Sequence, residues 1–70
     1  MQEIKIRGEM IRLGQLLKLG GVVESGAEGK DLLASAEVLV NGTIETRRGR
    51  QLHDGDVVEV AEWEFRVSAG

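Results

Sequence analysis

The chain has 70 residues with no cysteine, no proline, one histidine and a formal net charge of -3. A chain this short allows one small core and leaves little room for a deep cleft, which favours a binding surface over an enzyme active site. The missing cysteines exclude disulfides, thiolate nucleophiles and cysteine metal sites, and a zinc or iron site would need carboxylates for almost all its ligands. We therefore expect one non-catalytic domain over residues 1–70, without cofactor or metal.

Hydropathy predicts a soluble, cytoplasmic protein with no membrane partner. No stretch has the roughly 20 consecutive apolar residues that a membrane-spanning helix needs, and no apolar signal-peptide core follows the first seven residues.

The charges are unevenly distributed along the chain. Residues 1–20 and 41–53 each carry a net charge of +2, whereas residues 21–40 and 54–70 carry -3 and -4. Because phosphate binding depends on the local density of Lys and Arg, the acidic total does not exclude a nucleic-acid partner.

The first predicted elements are a strand and a helix. Over residues 3–7, isoleucines alternate with charged residues, which is typical of a strand with one buried face. A helix is predicted over residues 11–19 and ends at Gly20-Gly21, because glycine adopts the left-handed cap without steric cost. One face of this helix carries three leucines at helical spacing: Leu13, Leu16 and Leu17.

A second helix is predicted to begin at Ser25. Ser25 and Glu28 have the spacing of a capping box, in which each side chain accepts from a backbone N–H of the other residue. Gly29 inside this helix costs about 1 kcal/mol relative to alanine, so we expect another element to pack closely there.

The remaining chain is predicted to form antiparallel strands. Val38–Val40 is a strand, and Asn41-Gly42 suits a two-residue type I′ turn, in which both residues have positive φ. Further strands are predicted over residues 43–46, 57–60 and 64–67. Turns are predicted at residues 54–55 and 61–62. The expected fold class is α+β, with two packed helices against a small, mostly antiparallel sheet. Phe65 is assigned to the core; Trp63 is assigned to the opposite face, at an edge or exposed.

Basic residues are the main candidates for function. Arg47, Arg48 and Arg50 surround Gly49 in a predicted loop, where guanidinium groups can grip phosphates or stack on unpaired bases. A solvated basic loop explains the same residues equally well. Arg12, Lys18 and Lys30 gain significance only if the fold brings them to the same side as this loop.

Other candidate sites are weaker. Ser25 lacks a neighbouring base and is interpreted as a helix cap, and His53 as an ordinary turn residue. The acidic residues after position 53 lack calcium-loop spacing and are interpreted as a solvated face. A base-stacking role for Trp63 is the minority alternative.

The order of these segments resembles a known family. Residues 12–19, Ser25, residues 30–33, Glu37 to Gly42 and Asp54 to Val58 resemble the RNA-binding domain of ribosomal protein S-four, the alpha-L motif, over about residues 11–60. The short chain and its arginine segment are similar to the small stand-alone YaaA/YbcJ-type members. The resemblance implies binding of structured RNA, such as ribosomal or transfer RNA, in translation. The RNA contacts that it implies are Lys18, Ser25, Lys30, Asn41, Thr43, Arg47, Arg48 and Arg50.

The sequence departs from the family pattern in three places. Family members usually have an acidic residue at Gly14, an arginine at Gly26 and a basic residue near Asp31. RNA binding is therefore expected to be weak or narrowly targeted and to depend on the three arginines, whose replacement by alanine should abolish RNA retention and leave the fold intact. The acidic second helix motivates an alternative, a protein-interaction adaptor that kept the fold but lost most of the RNA surface.

Overall fold

The computed structural model describes all 70 residues, which form two helices and seven strands. The helices are α1 (Leu13–Leu19) and α2 (Gly26–Ala34). The strands are β1 (Gln2–Ile6), β2 (Ile11–Arg12), β3 (Val38–Val40), β4 (Thr43–Ile44), β5 (Gln51–Leu52), β6 (Val57–Val60) and β7 (Trp63–Ala69). Neither helix is long and apolar enough to cross a membrane.

Five strands form one sheet in the order β1-β7-β6-β3-β4. The pairs β7-β6, β6-β3 and β3-β4 are antiparallel, whereas β1 pairs with β7 in parallel. Alternate strand residues are buried, so one face of the sheet packs against the helices, and the other face carries exposed charged residues such as Lys5 and Arg66. The predicted α+β class, two helices against a mostly antiparallel sheet, is confirmed.

Thirteen buried apolar residues form one core between the helices and the sheet. The helices contribute Leu13, Leu16, Leu17 and Leu33, and the sheet contributes chiefly valines and Phe65. The leucine face that the sequence predicts for α1 is therefore the face that holds the helix on the sheet.

A second, two-stranded sheet was not predicted from the sequence. Strand β2 pairs antiparallel with β5, so that Ile11 lies opposite Leu52 and Arg12 lies opposite Gln51. The helix predicted from residue 11 consequently begins at Leu13. Two-residue strands are too short to show a periodicity of two, so only the pairing of distant residues defines them.

The start of α2 at Ser25 is confirmed, but the capping box is only half formed. The Ser25 hydroxyl oxygen accepts a hydrogen bond from the backbone N–H of Glu28 at 3.2 Å, and the Glu28 side chain makes no return bond. Gly29 is buried beside Val23 as expected, yet a β-carbon on Gly29 would meet Val23 at 3.7 Å, an ordinary contact distance.

The hairpin turn at Asn41-Gly42 is confirmed, with φ of 50° and 84° at its two residues. The Asn41 side chain also joins the hairpin to the turn before β6. Its amide nitrogen donates to Asp56 at 3.1 Å, and its amide oxygen accepts from the Val57 N–H at 2.9 Å. Asn41 therefore holds two turns together.

The two aromatic residues lie on the same face of β7. Phe65 is fully buried as predicted, and Trp63 is 40% exposed. The assignment of Trp63 to the opposite face is wrong, because residues two apart in a strand share a face. Their rings stack at a centroid distance of 5.6 Å.

The end of α1 requires two glycines for different reasons. Gly21 has φ of 79° and adopts the expected left-handed conformation. Gly20 remains in the right-handed region, but a β-carbon there would lie 2.7 Å from Cζ of Phe65. The aromatic ring thus occupies the space beside Gly20.

Candidate nucleic-acid interface

The arginine loop, residues 46–50, is fastened to the beginning of α1. The backbone N–H groups of Leu13 and Gly14 donate to the carbonyl oxygens of Arg50 at 2.8 Å and Arg48 at 3.0 Å. The Arg12 guanidinium donates to the Gly49 carbonyl at 3.1 Å. Since the first N–H groups of a helix have no partner within the helix, the loop caps α1 and is itself positioned by it.

Arg48 lies across both helices because two glycines leave room for it. A β-carbon on Gly14 would lie 2.5 Å from Cγ of Arg48, and one on Gly26 would lie 3.7 Å from Nη1 of Arg48. The aliphatic part of Arg48 therefore packs on α1, and its guanidinium reaches the first turn of α2. The glycines that depart from the family pattern are the ones that accommodate this arginine.

These residues line a cleft that we call the helix cleft. Its polar side chains come from the end of β2, from the first and last turns of α1 and from the arginine loop, and they are Arg12, Gln15, Lys18 and Arg48. The remaining lining consists of Gly14, Gly26 and Gly49, which leave the backbone open to a close approach. The fold thus brings Arg12 and Lys18 to the same side as the arginine loop.

The positive charge in the helix cleft is not neutralised. The two salt bridges of the protein join Glu45 to Arg47 and to Arg50. No carboxylate lies within salt-bridge distance of Arg12, Lys18 or Arg48. No acidic residue lines this cleft. Three cations that share an open cleft without a carboxylate favour the binding of an anion.

The acidic residues of α2 face away from the helix cleft. At about 100° per residue, Glu28 and Asp31 lie about 160° and 140° around the helix from Gly26. Lys30 is one turn after Gly26 and lies on nearly the same side, and it is exposed. Glu28 and Asp31 therefore lie on the side of α2 away from Gly26 and the helix cleft.

The other two arginines of the loop bind a buried carboxylate. Glu45 has a side chain that is only 8% exposed. Its Oε2 accepts from Nε of Arg47 at 3.0 Å, and its Oε1 accepts from Nη2 of Arg47 at 3.1 Å and Nη1 of Arg50 at 2.8 Å. The backbone N–H groups of Thr46 and Arg47 also donate to Oε2. Glu45 is therefore the centre that organises the loop.

This arrangement corrects the expectation that all three arginines can be replaced without damage to the fold. Replacement of Arg47 and Arg50 would leave the Glu45 carboxylate buried without its partners, which destabilises a protein. Only Arg48 of the three is free of a carboxylate. The variants that test function should therefore leave Arg47 and Arg50 in place.

Glu45→Gln is expected to lower stability at neutral pH, and the difference from the wild-type protein should shrink as the pH falls below about 4.5. The Arg47 side chain, the Arg47 backbone N–H and the Arg50 side chain hold the pKa of Glu45 far below its usual range. A depressed carboxylate pKa stabilises the fold above the unfolded-state value of 4.5 and loses that contribution in acid. Thermal unfolding of both proteins from pH 7 to pH 3 measures it; a difference that stays constant or grows in acid contradicts the role of Glu45.

A second cleft, which we call the turn cleft, lies on the other side of Gly49. It is lined by Arg47, Gly49, Arg50, Gln51, His53 and Asp56. Asp56 accepts from the His53 backbone N–H at 2.8 Å and from Asn41, so it helps to shape this cleft. Gly49 belongs to both clefts, and Arg12 of one lies opposite Gln51 of the other in the β2-β5 ladder.

The structure divides the residues that the resemblance implies as RNA contacts. Lys18 and Arg48 line the helix cleft, whereas Ser25 and Lys30 line neither cleft; in the chain, Ser25 precedes the lining residue Gly26 and Lys30 follows it by one helical turn. Arg47 and Arg50 line the turn cleft. Neither Asn41 nor Thr43 lines either cleft, and both ends of the Asn41 amide are bound within the protein.

Comparison with known proteins assigns the family. The model of the S4 domain matches residues 4–68, nearly the whole chain. This protein belongs to the S4 domain family. This chain is 54% identical to the "Probable ribosome maturation protein RlbA" of Bacillus subtilis (strain 168) over 57 residues, which are 81% of this chain and 80% of that protein. It is 39% identical to the "Putative RNA-binding protein YbcJ" of Escherichia coli (strain K12) over 59 residues, 84% of each chain.

Sequence reasoning gave too little weight to three residues of this S4 domain. The sequence gives Arg12 significance only on the condition that it lies beside the arginine loop, it indicates only a turn residue at His53, and it assigns no role to Glu45. A lone glutamate two and five residues before arginines was the available signal for Glu45. Nothing in the local sequence indicates that Arg12 and Gln51 lie opposite each other.

Proposed function

We propose that this protein is a non-catalytic module that binds structured RNA, such as ribosomal or transfer RNA, in the cytoplasm. The helix cleft is the observation that supports this proposal most directly. It combines Arg12, Lys18 and Arg48 with three glycines and no carboxylate. The names of the two relatives, one concerned with ribosome maturation and one with RNA binding, support the same function.

The helix cleft binds the phosphate backbone of the RNA. Arg48 offers a planar fork that matches two phosphate oxygens, and Lys18 supplies a mobile point charge. Ser25 and Lys30 extend this contact along α2. Double-stranded RNA has a major groove too narrow for side chains, so the target is defined by its folded backbone and by bases outside regular helices.

The expected binding is moderately dependent on salt. Release of counterions from about three phosphates gives a slope of about -2 in a plot of log K against log salt concentration. A protein that clamps nucleic acid through many phosphates would give a much steeper slope. Purified ribosomal RNA and bulk transfer RNA are each labelled and titrated with the protein at salt concentrations from about 50 to about 200 mM.

Two results would contradict the proposal. The first is the absence of RNA binding at the lowest salt concentration. The second is a slope near zero, which would show that the cations of the helix cleft do not contact phosphate. A protein partner that remains bound after nuclease treatment, combined with no RNA recovered by cross-linking in cells, would favour the adaptor instead.

A further inference from the structure

The turn cleft differs from the helix cleft in its charge. Arg47 and Arg50 both bind Glu45, and Asp56 lines the same cleft, so two cations are balanced by two carboxylates. The helix cleft holds three cations and no carboxylate. The charges therefore favour a phosphate group in the helix cleft and a polar ligand without net charge in the turn cleft.

Arg47 presents a fixed planar surface in this cleft. Its Nε and Nη2 bind the two oxygens of Glu45 side by side, which holds the guanidinium flat, while 74% of the side chain stays exposed. Glu45 occupies the Nε–Nη2 edge, one of the two edges with which a guanidinium can grip a phosphate, and it offsets the charge of Arg47. The open face remains available, and the flat face of a guanidinium is a surface on which an unpaired base stacks.

Two neighbouring side chains supply unoccupied hydrogen-bonding groups. Gln51 and His53 both line the turn cleft and are exposed, and neither side chain has a hydrogen-bond partner within the protein. The amide of Gln51 offers both donors and an acceptor, and the imidazole of His53 offers one nitrogen of each kind when neutral. Such a mixture matches the edge of a nucleobase, which also carries donors and acceptors.

We propose that the turn cleft binds one unpaired base of the RNA, stacked on Arg47 and hydrogen-bonded by Gln51 and His53. This inference rests on the RNA-binding function proposed above and divides it between two sites. The cleft has a volume of about 660 Å³ and no hydrophobic residue in its lining. Because Gly49 lines both clefts, a nucleotide whose phosphate lies in the helix cleft can place a neighbouring base in the turn cleft. Phosphate contacts then provide position, and the base contact provides selectivity.

The test compares two double variants with two probes. The probes are labelled ribosomal RNA and long-chain inorganic polyphosphate, which carries phosphates but no bases. Gln51→Ala/His53→Ala should weaken binding of ribosomal RNA on the order of 10-fold, through loss of the hydrogen bonds to the base, and should leave the salt slope and polyphosphate binding unchanged. Lys18→Ala/Arg48→Ala should weaken the binding of both probes. Gln2→Ala, at the distant strand β1, is the matched control and should change neither.

Each outcome separates the two proposals. Unchanged binding of ribosomal RNA by Gln51→Ala/His53→Ala, with weaker binding by Lys18→Ala/Arg48→Ala, would overturn the base site and leave the proposed function standing. A parallel loss of polyphosphate binding and salt slope in Gln51→Ala/His53→Ala would show a phosphate site and would also overturn it. If neither double variant weakened RNA binding, the proposed function itself would fail.

Discussion

Lys18→Ala/Arg48→Ala is expected to bind ribosomal RNA at least about 100-fold more weakly than the wild-type protein. Each charge-assisted hydrogen bond contributes about 1.5–3 kcal/mol, and each factor of ten corresponds to about 1.4 kcal/mol. The slope of log K against log salt concentration should become shallower, from about -2 to about -0.7, because only one phosphate contact of three remains. Titration of labelled ribosomal RNA at several salt concentrations measures both quantities. Both side chains are exposed and make no salt bridge, so the fold should be unaffected.

The matched control is Lys5→Ala/Arg66→Ala. It removes the same two charges from the face of the sheet that is opposite the helices. The net charge of the two variants is identical, so any general electrostatic effect is the same in both. Equal losses of RNA binding in the two variants would show that total charge matters and the helix cleft does not.

Gly14→Ala tests the same cleft without a change in charge. The added β-carbon would lie 2.5 Å from Cγ of Arg48, so the arginine must leave the surface of α1. Cγ lies close to the Arg48 backbone, whose carbonyl oxygen accepts from Gly14, so the side chain must adopt another rotamer, and a thermal unfolding curve checks that the fold is retained. Loss of RNA affinity of about 10-fold in a stable protein would separate the position of Arg48 from its charge. Unchanged affinity would show that this position of Arg48 is not used.

Gly20→Ala is expected to destabilise the protein by about 1–3 kcal/mol, the usual effect of overpacking a core. The added β-carbon would lie 2.7 Å from Cζ and 2.9 Å from Cε1 of Phe65. The ring of Phe65 is fully buried and stacks against Trp63, so it cannot move aside freely. For a domain of this size each kcal/mol lowers the melting temperature by about 4–8 °C, which a thermal unfolding curve resolves easily.

Gly29→Ala is the control for this substitution. Gly29 lies within α2, and a β-carbon there would meet Val23 at an ordinary 3.7 Å. This variant should be more stable than the wild-type protein by up to about 1 kcal/mol, because alanine has the higher helix propensity. If both glycine substitutions lowered stability equally, the contact with Phe65 would not be the cause.

The sequence predicts the elements whose signals are local. The cap at Ser25, the positive φ values at Asn41-Gly42 and the alternation in β1 and β7 each follow from neighbouring residues, and all are present. The pair of β2 and β5 joins residues about forty positions apart and has no local signal. The wrong prediction for Trp63 has another cause. Trp63 and Phe65 are two residues apart in one strand, so the alternation of the strand itself places them on the same face.

The candidate site was predictable in its charges but not in their arrangement. Three arginines around Gly49 indicate a basic loop, yet the sequence does not show that Glu45 binds two of them and leaves Arg48 free. The loop is also held against α1 by backbone hydrogen bonds from Leu13 and Gly14, which are long-range contacts without a local signal. The two clefts therefore cannot be predicted from the sequence, because they depend on the tertiary structure.

The parallel pairing of β1 with β7 has a consequence for the newborn chain. Ile6 lies opposite Ala69, so β1 cannot pair with β7 until the chain between them has been made. At about 5–20 residues per second, synthesis of the intervening chain takes roughly 3 to 13 s. During this interval the edge of β1 is unpaired and open to aggregation, which the charges of Glu3 and Lys5 on either side of Ile4 oppose.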